Sequence, residues 1–283
     1  MGNWDPDQYL KFKAERTQPS LDLVSRLATY RTQAGNAFSP AAVLDLGCGP
    51  GNSTRVVAHA FPDARILGVD SSPDMIQEAT RASAPSGGGR VSYRLFDATD
   101  DPLPLACELG SRNGFDLIFS NACIQWVPDN PALIRRLMGS LAPGGLLAVQ
   151  VPVNSEEPIY QCIYRVVDSP KWAPFFKRRR FFTTLKATEY FDVLAGCAGD
   201  FTMWQTSYLH RLPSVDAVVE WFRGTGLRPF LDQLEPDSRP LFLSDVRAGM
   251  AKVALPRPNG EVLLPFPRLF FIAEKQSSHL GCR

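Results

Sequence analysis

"VLDLGCGPGNSTRVV", residues 43–57, decides the fold class, because an apolar run breaks into glycines and then resumes with helical spacing. Leu44 and Leu46 belong to a run that predicts a buried strand, and Asn52 or Ser53 is placed to cap a following helix. Glycines let a ligand approach the main chain, and a helix N-terminus offers unpaired N–H donors. The stretch therefore predicts a strand, a ligand-binding turn and a helix.

The spacing of the glycines restricts the ligand. A P-loop requires a lysine after its last glycine, but Asn52 and Ser53 follow Gly51. The dinucleotide fingerprint requires its third glycine at position 52, which is an asparagine. The remaining pattern, Gly47, Gly49 and Gly51 after a strand, favours a ligand without a pyrophosphate. A tight turn that binds nothing is the alternative.

Composition and charge restrict the class of protein. The chain has 283 residues, of which 45% are hydrophobic and 21% charged, as is typical of a globular protein with one large or two small domains. A formal net charge of +1 gives no electrostatic case for nucleic acid or an anionic membrane as a partner. We therefore expect a small-molecule partner, and a monomer or weak homodimer.

The cysteines and the start of the chain indicate the compartment. The six cysteines form no C-x-x-C pair, and the three histidines do not cluster with them, so we expect neither a metal site nor a disulfide framework. The first ten residues lack the features of a signal peptide, and no apolar run approaches the roughly 20 residues of a membrane span. We therefore expect a cytoplasmic protein.

Strands and helices alternate over the first half of the chain. Apolar runs predict strands after the opening one at 64–70, 91–97, 115–121 and 146–152. This alternation predicts a parallel sheet covered by helices, and ligands bind such sheets at the carboxyl ends of the strands. The glycine turn, Asp70, Asp97 and Asn121 all lie at predicted strand ends. We therefore expect them to converge on one edge of the sheet.

The second half predicts a helical cap over that edge. Residues 156–195 look mostly helical and include the basic run "KRRR" (177–180), which we interpret as a solvated surface. Further strands are predicted at 200–212 and 262–275, the last interrupted by prolines, and helices at 19–30, 214–222 and 237–255. We predict one domain, 1–283, with a core at about 35–155, 196–212 and 260–275 and a cap at about 1–34, 156–195 and 213–259.

Two acidic residues at strand ends are candidate ligand contacts. Asp70 lies 23 residues after Gly47, at the position where an acidic residue bonds ribose hydroxyls. Asp97, after the third strand, could accept a hydrogen bond from an adenine amino group. Aspartate is also common in turns, so each could be a turn residue instead.

Five segments, in order, resemble the motifs of class I S-adenosylmethionine-dependent methyltransferases. They are "VLDLGCGPGNST", "GVDSSPDMIQEA", "FDATD", "FDLIFSNACIQWV" and "LAPGGLLAVQVP", and they cover about residues 40–152. The resemblance implies an α/β, Rossmann-like fold with a seven-stranded, mostly parallel sheet, helices on both faces and a helical cap. It also implies S-adenosylmethionine as the cofactor.

A narrower resemblance extends to both ends of the chain. "NWDPDQYLKFKAERTQPSLDLVSRL", "NACIQWVPDNPALIRRLMGSLAPGG", "VVEWFRGTGLRPFLD" and "GEVLLPFPRLFFIAEK" are similar to segments of the trans-aconitate 2-methyltransferase family. The similarity is weakest at 155–200. That family methylates one carboxylate of trans-aconitate to a monomethyl ester, and the resemblance implies the same reaction here.

The resemblance also implies a set of cofactor-binding residues. Gly47 and Gly49 would line the aminoacyl end of the cofactor, and Asp70 would bind its ribose hydroxyls. Arg16, on an N-terminal helix that closes over the site, would pair with the cofactor's carboxylate or with the substrate. The full set is Tyr9, Arg16, Gly47, Cys48, Gly49, Asp70, Ser71, Met75, Asp97, Ala98 and Asn121.

The implied reaction requires no catalytic base. A carboxyl group with a pKa of about 4 is already ionised at neutral pH, so transfer of a sulfonium methyl group to it needs positioning alone. The other carboxylates of the acid require cations, and arginine holds them best. We therefore predict Arg223, Arg228 and Arg268 as substrate-binding residues and Trp126 as an apolar wall beside the methyl group, although each could be a surface or packing residue.

Three alternatives stay open. The first is a methyltransferase for a different acid, such as a propylmalate-like diacid or a secondary metabolite. The second is a dinucleotide-dependent dehydrogenase, against which Asn52 argues. The third is a non-catalytic, methyltransferase-like module that binds a cofactor or a partner protein, which the intact glycine turn and Asp70 disfavour.

Overall fold

The computed structural model describes residues 13–30, 35, 37–83 and 89–276, so Tyr9 lies outside the described residues. The strands are β1 (Ala42–Leu46), β2 (Arg65–Asp70), β3 (Val91–Leu95), β4 (Phe115–Asn121), β5 (Leu141–Pro152), β6 (Asp200–Leu212) and β7 (Val262–Glu274). The α-helices are α1 (Lys13–Ala28), α2 (Asn52–Ala60), α3 (Pro73–Ser83), α4 (Asn130–Gly139), α5 (Pro158–Val167), α6 (Ala187–Ala195), α7 (Val215–Arg223), α8 (Arg228–Leu231) and α9 (Arg239–Met250).

All seven strands form one sheet in the order β3-β2-β1-β4-β5-β7-β6. The pairings from β3 through β5 are parallel, whereas β7 is antiparallel to both β5 and β6. The predicted seven-stranded, mostly parallel sheet is therefore confirmed. The order changes direction at β1, whose neighbours are β2 and β4, and this switch point places the glycine turn in the middle of the ligand-binding edge.

The last strand differs from the prediction. Prolines were expected to interrupt it, but β7 pairs with β6 without a break from Val262 to Glu274. Its pairing with β5 ends at Arg268, so the prolines lie beyond the end of that neighbour. The carbonyl of Pro267 points to that side and accepts a bond from Val153 N at 3.0 Å. The missing N–H of Pro267 therefore costs no ladder hydrogen bond.

The region 156–195 is less helical than predicted. It contains α5 and α6, but the residues between them are extended or turn-like apart from one 3₁₀ turn at Ala173–Phe175. Pro170 and Pro174 disfavour a continuous helix, and so does repulsion among the four adjacent cations at 177–180. The segment 177–186 instead packs on the turn that follows β4, where Thr183 N donates to Gln125 O at 2.9 Å. The first helix, α1, begins earlier than predicted and includes Pro19.

The core divides into layers that follow the period of the strands. Val43 faces a cluster with α1 and α2, whereas Leu44 faces one with α4 and α6. A third cluster joins α5, α7, α8 and α9 to the start of β7 and the end of β6, and it includes Trp221 and Phe242. Burial of each aromatic side chain contributes roughly 1.5–3 kcal/mol to the free energy of folding, so this cluster holds the cap against the sheet. Among the described helices, none is long and apolar enough to cross a membrane.

Candidate functional site

The glycine turn after β1 is held against β2 by its own main chain. The N–H groups of Gly47 and Cys48 both donate to Val69 O, at 2.8 and 2.9 Å. Gly47 and Gly49 have φ values of 76° and 54°, in the left-handed region that favours glycine. A Cβ atom on Gly47 would lie 2.3 Å from Cys123 Sγ, whereas one on Gly49 would meet nothing within 4 Å. The turn therefore requires Gly47 and leaves open space beside Gly49.

Asp45 stabilises the turn through hydrogen bonds to the residues that follow it, and it was not among the residues predicted from the sequence. Its Oδ2 accepts bonds from Ser53 Oγ at 2.7 Å and Thr54 Oγ1 at 2.6 Å, which ties β1 to the start of α2. The side chain is fully buried, and that burial raises the pKa of Asp45 to about 6. The signal in the sequence is a lone acidic residue inside an apolar strand.

Asp70 ends β2 and links the turn to the next helix. Its Oδ2 accepts a bond from Gly49 N at 3.0 Å, and its Oδ1 accepts one from Ser72 N at 2.9 Å. Burial raises the pKa of this carboxyl, and the bonds from the two main-chain donors oppose the shift. Each carboxylate oxygen can accept a second bond, so Asp70 keeps acceptor capacity for a ligand's hydroxyl groups.

A cavity of about 500 Å³, here called the large cavity, lies along this edge. It brings together most of the predicted cofactor-binding residues: Gly47, Gly49, Asp70, Ser71, Met75, Asp97, Ala98 and Asn121. Cys48 is buried and is not among the described residues that line it. Apolar residues of the lining that were not predicted from the sequence are Leu46, Val69, Phe96, Cys123, Val127 and Phe181. These residues read in sequence as ordinary core positions.

Asp97 follows β3 and lines the large cavity. Its Oδ1 accepts bonds from the N–H and the hydroxyl of Thr99, at 2.9 and 2.8 Å. Those bonds lower the pKa of Asp97, so its carboxylate is ionised at neutral pH. The turn role and the ligand role, which the sequence left as alternatives, are compatible because the second oxygen is not used by Thr99.

A second cavity of about 70 Å³, here called the small cavity, adjoins the large one. Both are lined by Asn121, Ala122 and Trp126, which form the partition between them. Ala122 has a φ of 55°, a strained value for a residue with a side chain, and strain of this kind is found at functional sites. Oδ1 of Asn121 is buried without a hydrogen-bond partner among the described residues. The partition therefore presents an acceptor that a ligand can use.

Two arginines from opposite ends of the chain meet at the small cavity. Arg16 is 7% exposed and Arg268 is 6% exposed. Arg16 Nη2 donates to the main-chain oxygen of Trp221 at 3.4 Å, and Arg268 Nη1 donates to Gln150 Oε1 at 3.2 Å. Two guanidinium groups at one small cavity place two positive charges and several N–H donors together, so this pair favours an anionic ligand.

The other two predicted arginines are separated by the fold. Arg228 lines the large cavity rather than the small one, and its Nε lies 3.6 Å from Asp232 Oδ2. Arg223 lies on the exposed end of α7, where its Nη1 pairs with Glu220 Oε1 at 3.1 Å. Arg223 lines neither cavity. The structure therefore brings Arg268 together with Arg16, not with Arg223.

Aromatic rings enclose the small cavity. Trp126 packs on Phe182 with 4.5 Å between ring centroids, and Tyr160 contacts Phe182 at 6.0 Å. Trp221 completes the wall next to Arg16, whose guanidinium carbon lies 5.7 Å from the indole centroid. Trp126 was predicted, but Tyr160, Phe182 and Trp221 were missed because they occupy helix or loop positions that read as core.

The basic run 177–180 is only partly a solvated surface. All four side chains are exposed, and Arg179 and Arg180 both pair with Asp168. Arg178, however, lines the large cavity, and its main chain exchanges two hydrogen bonds with the side chain of Gln233. The interpretation as a purely solvated face was therefore wrong for Arg178.

Comparison with known proteins identifies the family. A family profile described as "Methyltransferase domain" matches residues 43–145. The trans-aconitate 2-methyltransferase of Methylobacterium nodulans is 42% identical over 279 residues, 97% of this chain and 99% of the relative.

Solved structures show the same fold. The YcgJ protein from Bacillus subtilis superimposes with a TM-score of 0.58 at 15% identity, over 92% of this chain and 100% of that one. A Haemonchus contortus phosphoethanolamine N-methyltransferase 2, solved with S-adenosylhomocysteine, gives 0.53 at 19% identity over 92% of this chain and 53% of that one. With its sheet, glycine turn and near full-length match, the chain belongs to the trans-aconitate 2-methyltransferase family of S-adenosylmethionine-dependent methyltransferases.

Proposed function

We propose that this enzyme transfers a methyl group from S-adenosylmethionine to one carboxylate of trans-aconitate and releases the monomethyl ester. One observation carries the choice of acceptor. Arg16 and Arg268 are buried at a small cavity that shares Asn121, Ala122 and Trp126 with the large cavity. A polycarboxylate acceptor suits such a pair, and the relatives that carry the trans-aconitate name support it.

The residues of the large cavity fit S-adenosylmethionine. Asp70 offers carboxylate oxygens to ribose hydroxyls, and the open side of Gly49 admits a ligand against the main chain. Met75 and Phe96 give an apolar surface for a flat base, and the unpartnered Oδ1 of Asn121 can accept from an ammonium group. When bound, the cofactor supplies an electrophilic methyl group on a sulfonium centre.

The chain's own contribution to the reaction is positioning. The acceptor carboxylate is ionised at neutral pH, so no residue has to remove a proton. Arg16 and Arg268 would hold the carboxylates that do not react, each through two parallel N–H donors. Trp126 lies in the partition between the two cavities and excludes water where they meet. Such orientation is worth several kcal/mol of the barrier.

This assignment revises the sequence-based site at Arg16, Arg228, Arg223 and Cys48. Arg16 moves from the cofactor set to the acceptor set, and Arg228 moves to the outer wall of the large cavity. Arg223 has no part in the proposed site. Cys48 supports the turn through its main chain, and the contact predicted for Tyr9 stays a prediction.

We further propose one methyltransferase domain over 1–283. Its core would be the sheet regions at about 35–155, 196–212 and 260–275, and its cap the regions at about 1–34, 156–195 and 213–259. The cap would supply Arg16 and the rings of Tyr160, Phe182 and Trp221 to the acceptor side, and the core would supply Arg268 and Trp126. We propose a cytoplasmic monomer or weak homodimer that acts on small molecules and binds neither nucleic acid nor a membrane, as the near-zero net charge favours.

The test is transfer of labelled methyl from S-adenosylmethionine to a panel of di- and tricarboxylic acids, with the mass of each product measured. We expect one added methyl group on trans-aconitate, with a higher kcat/KM than for any other acid in the panel. Preference for another acid would overturn the choice of acceptor. Cofactor binding without any ester would favour the non-catalytic alternative.

A further inference from the structure

We infer that a third cavity, the groove between α5 and the segment 180–184, is the entry route and outer binding site for the polycarboxylate acceptor. This inference rests on the proposed function. The groove has a volume of about 640 Å³. One wall is a face of α5 that carries Tyr160, Tyr164 and Arg165, and the opposite wall is formed by Arg180 and Phe182. It shares no lining residue with the large cavity.

The groove meets the small cavity at a thin partition. Both are lined by Pro152, Tyr160 and Phe182. The rings of Tyr160 and Phe182 meet edge to face, with an interplanar angle of 76°, so two aromatic side chains form most of the barrier. Phe182 lies on an extended segment rather than in a helix or strand. Rotation of these rings would join the groove to the buried arginines.

The size of the small cavity requires such an opening. Its volume of about 70 Å³ is far below the 500 and 640 Å³ of the two cavities that adjoin it, so we expect an acid with three carboxyl groups to occupy more than the small cavity alone. A bound acid must therefore extend into a neighbouring space. The large cavity is taken up by the cofactor in the proposed reaction, so the groove is the neighbour that stays available.

The groove has the donors that a carboxylate needs. Asn154 is 6% exposed and lines the groove. Burial raises the pKa of the Tyr160 hydroxyl, and the amide of Asn154 is close enough to oppose that rise. Arg165 and Arg180 add two guanidinium groups. A primary amide has two N–H donors, so Asn154 keeps one for an anionic oxygen beside these two cations.

Two carboxylates also line the groove and must be counted. Glu156 is exposed at its mouth, and Asp168 holds Arg180 through a bond of 2.6 Å to its Nη2. Arg180 also covers the ring of Tyr164, 4.2 Å from its centroid. Arg179, which also pairs with Asp168, raises the number of guanidinium groups at the groove to three against two carboxylates, so an anion is favoured there. This gives the run a function that its sequence alone did not indicate.

Electrostatic entry is tested with the double variant Arg165→Gln/Arg180→Gln. We expect its kcat/KM for trans-aconitate to fall about 10-fold and to lose much of its dependence on salt, since steering of a charged ligand accelerates association by that order or more. The kcat at saturating acid and the Kd for S-adenosylhomocysteine should stay within about 2-fold of the parent. Arg211→Gln is the matched control, because Arg211 is an exposed arginine paired with Glu261 and lines none of the three cavities.

Steric entry is tested with Ser155→Trp, which leaves the Arg180–Asp168 pair in place. Ser155 is exposed and lines the groove but not the small cavity, so a large ring there should obstruct entry. We expect a several-fold lower kcat/KM with unchanged cofactor affinity, whereas Ser25→Trp on the exposed face of α1 should match the parent.

The two failures are distinguishable. Folded Ser155→Trp and Arg165→Gln/Arg180→Gln enzymes with the parent's kcat/KM and salt dependence would overturn the groove as entry route while ester formation continued. Absence of ester from the parent with every acid would instead overturn the proposed function, before any variant was compared.

Discussion

The proposed cofactor side of the site is built from main-chain groups and carboxylates, whereas the proposed acceptor side is built from arginines and aromatic rings. Gly47, Asp70 and Asn121 lie at the ends of strands that neighbour one another in the sheet. Arg16 lies on α1 and Arg268 on β7, so two residues from opposite ends of the chain meet at the small cavity. The cofactor side thus offers oxygen atoms and open main chain to S-adenosylmethionine, which is cationic at sulfur and carries ribose hydroxyls. The acceptor side offers cationic side chains to an anionic acid.

Among the substitutions considered, one in the glycine turn should have the largest effect on cofactor binding. Gly47→Ala forces a φ of 76° on a residue with a Cβ and places that atom against Cys123, so the turn must move. We expect roughly 100-fold weaker binding of S-adenosylhomocysteine by calorimetry. Gly260→Ala has a similar φ of 81° with nothing within 4 Å and serves as the control for strain alone. Equal effects of the two substitutions would contradict the role given to the collision.

The acceptor side should fail differently. Arg16→Gln removes one of the two buried guanidinium groups and, with it, the proposed pair between Arg16 and a carboxylate of the acid. Loss of one partner of such a buried ion pair costs about 2–5 kcal/mol of binding free energy. We expect the KM for trans-aconitate to rise roughly 30-fold or more, with the Kd for S-adenosylhomocysteine nearly unchanged. Initial rates over a range of acid concentrations measure this. Weaker binding of S-adenosylhomocysteine with an unchanged KM for trans-aconitate would return Arg16 to the cofactor-binding residues.

This difference explains what the sequence could predict. The glycine turn, Asp70, Asp97 and Asn121 were predicted to lie at one edge, and they line one cavity, because each follows a strand that its own apolar run identifies and parallel strands end at a common edge. Family resemblance then added Ser71, Met75 and Ala98. All of these are local features of the first half of the chain.

The acceptor side depends on distant contacts and could not be predicted in the same way. Tyr160 and Trp221 read as core residues of helices, and only packing of the cap shows that they face the small cavity. Arg223 and Arg228 lie close in sequence, but α7 ends at the first and α8 begins at the second, so the turn between them sends one outward and one inward. An arginine in the sequence indicates that an anion could bind it, but not where in the fold its side chain lies.

The two sides also respond oppositely to pH. Asp45, beneath the turn, has its pKa raised to about 6, so the folded state gains stability as the pH falls from about 6 to about 4. His210, which packs on Trp221 behind the acceptor side, has its pKa lowered to about 4 by burial and by Arg268, so stability is lost as the pH falls below 6.5.

Asp45→Asn isolates the first of these effects, because the contribution of His210 is common to both proteins. We expect the stability of the parent relative to the variant to fall by roughly 1–3 kcal/mol between pH 4 and pH 6. Denaturant unfolding at several pH values measures the difference. A difference that is constant over this range would show that Asp45 does not titrate there.

The smallest effects should separate the two arginines at the α7–α8 turn. Arg228 lines the large cavity with a mostly buried side chain, so Arg228→Gln should weaken cofactor binding by roughly 3- to 10-fold. Arg223→Gln removes an exposed pair with Glu220 and should change neither cofactor affinity nor the KM for the acid measurably. A strong effect of Arg223→Gln on the KM would restore it to the acceptor site.

The most direct test of the division into two sides is Arg268→Gln, measured for cofactor affinity and for methyl transfer to trans-aconitate in the same preparation. We expect a Kd for S-adenosylhomocysteine within about 3-fold of the parent and a kcat/KM for the acid reduced by about 100-fold, with partial recovery in Arg268→Lys. Parent-like turnover, or a loss of cofactor affinity with an unchanged KM for the acid, would contradict the assignment of Arg268 to the acceptor.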